Sequence, residues 1–344
     1  MRARSIGLGA VIVAGLLAGA PAASAKVELA GGSTTLRLDA GTAGALAGAG
    51  VSVKPVRPAK ARGRNVTFPI TGGKIDPATA AGRINHSGGL RFRAGGKAVA
   101  LRGLRVHVGA KRAILTGRAG KARLPVAALS LKRAKVTRPG LGTTVRGVRA
   151  TLTGKAAGAL NSTFGTSMFK RGIVLGMVTI KAKPAEAQLA GGYTALELDP
   201  GAAAALTSLG VTPGLIAPAT AGPDGLRFPI TGGKVSVTDY AGSIRHSGGI
   251  SLTKDPVQVD LSRFTIQVDA DPDLTALVGG QRVSILSLDL SGLDARVKGR
   301  RITLAGAEAS LTATAAGALN QAFGTTAFTE GLVLGTATVK ARAR

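Results

Sequence analysis

Few side chains in this sequence could coordinate a ligand or transfer a proton. Among 344 residues there are three histidines, His86, His107 and His246, and two tyrosines, Tyr193 and Tyr240. The sequence has no cysteine, which excludes disulfides, cysteine-ligated zinc, iron–sulfur clusters and thiol nucleophiles. Three histidines also argue against a multi-histidine metal centre. The chemistry open to the chain is therefore narrow.

The carboxylates do not suggest catalysis. In the first half of the chain they are Glu28, Asp39 and Asp76, and no two of them form a general acid and base pair. No Gly-x-Ser-x-Gly nucleophile motif is present. Three aspartates within residues 269–273 imitate the start of a calcium loop, but Gly280 stands where a bidentate glutamate would close it. We expect a solvated acidic hairpin there, no metal site, and a protein that is not an enzyme.

The sequence contains an internal repeat of about half its length. The heptapeptide Phe-Pro-Ile-Thr-Gly-Gly-Lys at residues 68–74 recurs at residues 228–234, and a Gly-x-Ile-x-His-Ser-Gly-Gly segment occurs at residues 82–89 and again at 242–249. Both repeats are offset by 160 residues. A period this long indicates a duplicated domain, because solenoid repeats are about 20–50 residues long. We therefore predict two tandem homologous domains, module one (residues 26–183) and module two (residues 184–344).

Within each module apolar and polar residues alternate with a period of two. This pattern is typical of antiparallel strands with one buried face, and Gly-Gly and Pro-Gly pairs between the runs predict hairpin turns. We expect an all-β fold, an antiparallel sandwich or open barrel of nine to eleven short strands, with two short helices per module. Two of these helices are predicted at residues 201–209, capped by Asp199, and at residues 314–323.

Residues 1–25 have the pattern of a secretory signal peptide. Two arginines precede an apolar run at residues 6–20, and Ala23-Ser24-Ala25 is a small-x-small cleavage site. We expect a protein that is secreted or associated with the cell envelope, without a transmembrane segment once the signal is cleaved. An uncleaved N-terminal anchor is the alternative.

The repeated motifs resemble those of the HtaA domain family. The similarity is carried by residues 68–90 with 148–180, and by residues 228–250 with 302–339. The resemblance implies a mostly β domain of secreted or surface-anchored actinobacterial proteins that binds haem and passes it towards an importer. In that family a tyrosine is the iron ligand and a histidine supports it, which suits ferric iron and allows the phenol to be tuned.

This resemblance makes Tyr193 and His246 the candidate haem site, with His86 a weaker candidate. Module one contains no tyrosine. The helix predicted at residues 201–209, on which the resemblance would place the ligand, contains none either. A purely structural role is the alternative for His86 and His246, since an imidazole before Ser-Gly-Gly can hydrogen-bond the turn backbone. His107 is expected on a solvated strand face.

The formal net charge of +28 is concentrated in one module. Residues 27–183 carry 29 basic and 3 acidic residues, whereas residues 184–344 carry 13 and 14. Nucleic acid is not the expected partner, because neither stacking aromatics nor a recognition helix accompanies the charge. Two functions remain open. One is a haem-binding accessory of haem uptake, and the other is a non-catalytic structural or adhesion module that binds anionic envelope polymers through module one.

Overall fold

The computed structural model of the chain describes residues 26–110 and 112–344. The signal peptide predicted at residues 1–25 lies outside the described residues. No helix in the described part of the chain is long and apolar enough to cross a membrane.

Module one forms a sheet of twelve antiparallel strands. They are β1 (Val27–Leu38), β2 (Ser52–Val56), β3 (Lys60–Arg62), β4 (Asn65–Ile75), β5 (Gly82–His86), β6 (Gly89–Ala94), β7 (Lys97–Val108), β8 (Ala113–Ala119), β9 (Ala122–Ser130), β10 (Lys135–Thr137), β11 (Thr143–Leu152) and β12 (Val174–Pro184).

Module two repeats this sheet with another twelve strands in the same order. They are β13 (Glu186–Leu198), β14 (Thr212–Ile216), β15 (Thr220–Gly222), β16 (Gly225–Ser236), β17 (Gly242–His246), β18 (Gly249–Lys254), β19 (Val257–Val268), β20 (Asp273–Val278), β21 (Gln281–Asp289), β22 (Asp294–Lys298), β23 (Arg301–Leu311) and β24 (Val333–Ala343).

Each sheet closes on itself. In module one the strands β7, β5, β4, β1, β12, β11, β9 and β8 pair in sequence, and β8 pairs again with β7 to complete a ring of eight. The β2–β6 pair extends from β7, while β3 and β10 add to β4 and β11. The all-β prediction is confirmed. In module two the pairing of β19 with β20 closes the sheet in the same way. Each module is therefore a closed barrel, and each has more strands than the nine to eleven expected.

Four short helices accompany the strands: α1 (Ala40–Gly48), α2 (Gly154–Phe164), α3 (Pro200–Ser208) and α4 (Ala313–Phe323). The two predicted helices of module two are confirmed, each starting one residue earlier than expected. The carboxylate of Asp199 accepts a hydrogen bond from the backbone N–H of Ala202 at 3.0 Å, as an N-cap does.

The repeated glycines are required by close backbone approach. Gly73 and Gly233, from the repeated heptapeptide, have φ of 128° and 143°. A Cβ at either position would lie 2.2 Å from a carbonyl oxygen of the neighbouring strand, that of Arg83 or Ser243. Only glycine fits such a position, so this motif specifies the backbone rather than a chemical site.

The barrel interiors are built from the alternating apolar residues. In β4, Val66, Phe68 and Ile70 are all buried, and each such side chain stabilises the fold by about 1.5–3 kcal/mol relative to exposure. The last strand of the first sheet and the first strand of the second are separated only by Ala185. The exact domain boundary at residues 183 and 184 stays a prediction.

Candidate functional site

Module two contains an apolar cavity of about 310 Å³ that is partly open to the surface. Strands of the closed barrel form its walls together with α3 and α4. Among the described residues that line it, only Thr194 and His246 carry polar side chains; the others are aliphatic residues, proline and phenylalanine. A volume of this size is at the lower end of ligand sites, and apolar walls hold water poorly. The cavity therefore suits an apolar ligand, or the apolar part of a ligand that extends to the surface.

His246 stands at the wall of this cavity with both ring nitrogens engaged. Its Nδ1 lies 3.2 Å from the carbonyl oxygen of Phe264 on β19, and its Nε2 lies 2.7 Å from the hydroxyl oxygen of Thr194 on β13. Because a carbonyl can only accept, Nδ1 must carry the proton. Nε2 then has a free lone pair, which accepts the hydroxyl proton of Thr194. The contacts thus define a single neutral tautomer.

Burial keeps this imidazole uncharged. Desolvation lowers the pKa of His246 from 6.5 to about 4, although the hydrogen bond to the Phe264 carbonyl opposes the shift. Burial penalises the charged form of a base, so a depressed pKa is the expected direction. At neutral pH His246 is therefore an uncharged donor at Nδ1 and an uncharged electron-pair donor at Nε2.

Module one repeats the histidine arrangement in a different interior. His86 Nε2 lies 2.7 Å from the Thr34 hydroxyl and His86 Nδ1 lies 3.2 Å from the Leu104 carbonyl, and desolvation lowers the pKa of His86 to about 4. Phe92 of module one pairs with its neighbouring strand as Leu252 does in module two. Leu252 lines the cavity. Phe92 instead packs against two groups of buried apolar residues in module one, one in the barrel that includes Phe68 and one that includes Leu160 of α2.

Tyr193 lies on the outer face of β13, in a polar cluster. Its hydroxyl donates to Asp224 Oδ2 at 3.1 Å, and Arg227 lies 4.8 Å from its ring centroid. Asp224 is also paired with Arg227 and with Lys340. The hydrogen bond from Lys340, followed by that from Arg227, holds the pKa of Asp224 well below its usual range. The Tyr193 phenol is thus one of three donors to the Asp224 carboxylate, together with Arg227 and Lys340.

The structure does not bring Tyr193 and His246 together. Thr194, the next residue along β13, points inward to His246, and successive side chains of a strand point to opposite faces. A register shift between Leu189 and Gly191 moves β13 by one residue. Leu189 is buried, and regular alternation would place Tyr193, four residues later, on the same inner face. Because of the shift, Thr194 points inward and Tyr193 points outward. The pairing of phenol and imidazole for iron therefore stays a prediction without geometric support.

The other side chains expected to matter lie apart from the cavity. His107 is exposed on β7, as expected. Tyr240, at φ 60°, packs partly buried on the core of module two. In the acidic hairpin the Asp269 carboxylate accepts from the Asp271 backbone N–H at 3.0 Å. Within the described residues no group of three or more His, Asp or Glu side chains is placed to hold a metal ion.

Two features of the histidines were not expected from the sequence. The imidazoles of His86 and His246 bond to neighbouring strands rather than to the Ser-Gly-Gly turns that follow them. Their hydroxyl partners, Thr34 and Thr194, were missed. The repeated spacing of 52 residues between threonine and histidine was a signal that could have identified them.

Comparisons with known proteins give structural neighbours only. No protein-family model matches the chain, and no curated protein matches it. The C-terminal domain of HtaA from Corynebacterium glutamicum is 19% identical with a TM-score of 0.36, and the match covers 46% of this chain and 99% of that chain.

A domain-swapped dimer variant of that HtaA domain is 18% identical with a TM-score of 0.32, covering 43% of this chain and 96% of its own. The heme binding protein HtaB from the same organism is 13% identical with a TM-score of 0.29, covering 46% and 96%. The structural neighbours of this chain are thus HtaA and HtaB domains, the family that its sequence motifs resemble.

Proposed function

We propose that this chain is an exported, non-catalytic HtaA-like binding protein in which module two binds haem. One observation carries the proposal: a neutral imidazole, whose unprotonated Nε2 is bonded only to the Thr194 hydroxyl, stands at the wall of an apolar cavity. Haem is the ligand that the sequence resemblance implies, and it combines an apolar macrocycle with an iron that accepts such a lone pair.

The surroundings of His246 support a ligating role. Histidines that bind metal usually donate their second ring N–H to a carbonyl or carboxylate, which fixes the tautomer. Here Nδ1 donates to the Phe264 carbonyl, so Nε2 is the nitrogen left for iron. The Thr194 hydroxyl occupies that lone pair and would have to turn away. Bound haem would supply the iron centre, and His246 would hold it.

The proposed site does not use the tyrosine ligand that the family resemblance implies. Tyr193 donates its proton to Asp224 on the outer face, and Tyr240 does not line the cavity. The proposed site therefore depends on His246 alone and is expected to differ in its spectrum from a tyrosinate-ligated haem.

Haemin titration of the full chain without its first 25 residues tests this proposal. We expect a saturable Soret band that is lost in His246→Ala and kept in Tyr193→Phe and in His86→Ala. Iron-free protoporphyrin is the second probe, because it needs the cavity but no ligand. If neither haemin nor protoporphyrin binds, the proposal fails. It also fails if the Soret band persists in His246→Ala.

Attachment to anionic polymers of the cell envelope is the second candidate function. The observation that favours it is the lack of charge compensation in module one, where Glu28 and Lys74 form the only salt bridge within the described residues. Exposed cations without partners attract polyanions, and salt screens the attraction. Retention of the full chain on purified envelope should fall as salt rises, and retention that is indifferent to salt argues against attachment.

A further inference from the structure

Four arginines of module one lie together on the outer face of strands β7, β8 and β9. We call them the arginine face: Arg102, Arg105, Arg118 and Arg123. Arg102 is directly opposite Arg118, and Arg118 is directly opposite Arg123. Like charges in directly opposed positions destabilise a sheet, so this arrangement has a cost in the isolated protein.

A break in β7 places two of these arginines on the same face. Gly103 has φ 55° and the register shifts between Arg102 and Arg105, as in a bulge that adds one residue to a strand. Leu101 and Leu104 are consequently both buried, while Arg102 and Arg105 are both exposed. The backbone thus concentrates charge that strict alternation would divide between the two faces.

No carboxylate in the described part of module one compensates these cations. Glu28 pairs with Lys74, and the Asp39 side chain caps α1. The Asp76 side chain accepts from the backbone N–H groups of the turn that follows it. Among the side-chain hydrogen bonds of the described residues, the four arginines make one, from Arg123 Nη1 to the Thr116 hydroxyl at 3.0 Å. Desolvation, followed by the positive charges of Arg105 and Arg118, lowers the pKa of Arg123.

Module two has the same backbone with different side chains. Its strand β19 has the same register shift, between Ser262 and Thr265. Ser262 is opposite Leu277, and Leu277 is opposite Arg282. Of the four equivalent positions, Ser262, Thr265, Leu277 and Arg282, only the last is an arginine. Its Nη1 donates to the carbonyl of Arg263 at 2.9 Å and to the Thr275 hydroxyl at 3.2 Å. The fold forms without the other three arginines, so folding does not require them in module one.

We propose that the arginine face binds a linear polymer of phosphate groups. Arginine presents a planar fork that matches phosphate oxygens in pairs, which lysine does not. Strands are about 4.8 Å apart, so Arg105 and Arg102 on β7, Arg118 on β8 and Arg123 on β9 form a row about 10 Å across. Aromatic side chains that would stack on bases are missing from the described part of this face, so single-stranded nucleic acid is the less suitable occupant.

The basic surface continues from the arginine face to the edge of the sheet. Arg91 on β6 is opposite Lys54 on β2, and both line a surface groove together with Arg93. Because β6 pairs with the same half of β7 that carries Arg102, the row extends across five strands, or about 19 Å between outer strands. A row of this length favours a chain of phosphates over a single phosphate ion.

Binding of phosphate polymers can be tested with variants that exchange residues between equivalent positions of the two modules. Three arginines are replaced in the full chain by the residues at the equivalent positions, giving Arg102→Ser, Arg105→Thr and Arg118→Leu together. The probe is long-chain inorganic polyphosphate, compared with poly-glutamate, single-stranded DNA and orthophosphate. We expect polyphosphate to bind tightest and the triple variant to bind it at least tenfold more weakly, with a shallower dependence on salt. The reverse triple variant in module two, Ser262→Arg, Thr265→Arg and Leu277→Arg, should gain affinity.

A charge-matched variant decides whether the site or only the charge matters. Lys132→Ser, Arg133→Ser and Arg138→Ser together remove the same charge from an exposed segment and should weaken binding much less.

The proposal rests on polyanion attachment, but its own failure can be distinguished from the failure of attachment. If the Arg102, Arg105 and Arg118 variant and the Lys132, Arg133 and Arg138 variant weaken binding equally, attachment stands and the arginine face is overturned. If wild-type protein binds poly-glutamate or single-stranded DNA as tightly as polyphosphate, the choice of phosphate polymer is overturned, and if it binds none of them, attachment fails as well.

Discussion

The hydroxyl of Thr194 and Nε2 of His246 meet across an intervening strand, 2.7 Å apart. Thr194 lies on β13 and His246 on β17, and β16 pairs between these strands. The contact therefore crosses the inside of the barrel instead of following the backbone ladder. Since module one has the same contact between Thr34 and His86, the bridge belongs to the duplicated fold.

Removing the hydroxyl should destabilise module two. Thr194→Val keeps the shape but leaves Nε2 of His246 as a buried acceptor without a partner, which costs about 1–3 kcal/mol. Both tyrosines of the chain, Tyr193 and Tyr240, are in module two, so tyrosine fluorescence during urea denaturation follows this module alone. Thr336→Val, at an exposed position, is the control and should change the unfolding free energy by less than about 0.5 kcal/mol.

The stability of module two should fall between pH 6.5 and pH 4. The pKa of His246 is about 4 in the folded chain, against 6.5 for an unburied histidine, so the unfolded state binds more protons in this window. Stabilisation by the neutral imidazole is complete above pH 6.5 and is lost as the pH approaches 4. The loss should be about 3 kcal/mol. Urea denaturation at several pH values measures it.

Two variants separate this effect from general acid sensitivity. His246→Gln should flatten the dependence of the unfolding free energy of module two on pH. His86→Gln removes the matching imidazole of module one, which the tyrosine signal does not follow, and should leave the measured dependence unchanged. A steep fall that persists in His246→Gln would assign the pH dependence to carboxylates.

Filling the cavity should remove ligand binding while preserving the fold. Leu252→Phe introduces the residue that module one has at the equivalent position, and cavity filling commonly stabilises by about 0.5–2 kcal/mol. We expect haemin and protoporphyrin affinities to fall at least tenfold. The reciprocal Phe92→Leu is the matched variant and should loosen module one. Unchanged porphyrin affinity in Leu252→Phe would place the ligand outside this cavity.

The repeated asparagine at the end of α4 should contribute to stability. Asn320 donates from Nδ2 to the Phe328 carbonyl at 2.7 Å and accepts from the Phe328 backbone N–H at 3.0 Å. Asn320→Ala should therefore destabilise module two by about 1–3 kcal/mol. Gln321→Ala, one residue further on at an exposed position, is its control in the same denaturation experiment.

The fold was largely predictable because its signals are local. Alternation predicts strands, glycine pairs predict turns, and Asp199 with Pro200 predicts the start of α3. Ring closure was not predictable, since the hairpin of β7 and β8 completes a ring only when strands distant in sequence, such as β1 and β12, also pair. Strands separated by a short turn can pair in an open sheet as well as in a barrel.

The candidate site was harder to predict because bulges break the alternation. From buried Leu189, counting by two places Tyr193 inside, but the irregularity at Gly191 reverses the phase. Nothing in the sequence marks that position apart from two glycines, which also fit a regular strand or a turn. The repeated motif was enough to single out His246, while its partner Thr194 has no chemical signature by itself.

The duplicated imidazoles give the chain a reference inside the same molecule. His86 and His246 have matching partners and matching burial, so their ring nitrogens should resonate at closely similar frequencies in a nitrogen NMR spectrum of the empty protein. An occupant of the cavity would displace only the signal of His246. One spectrum of one sample would then report ligand binding through the His246 signal, with the His86 signal as its internal reference.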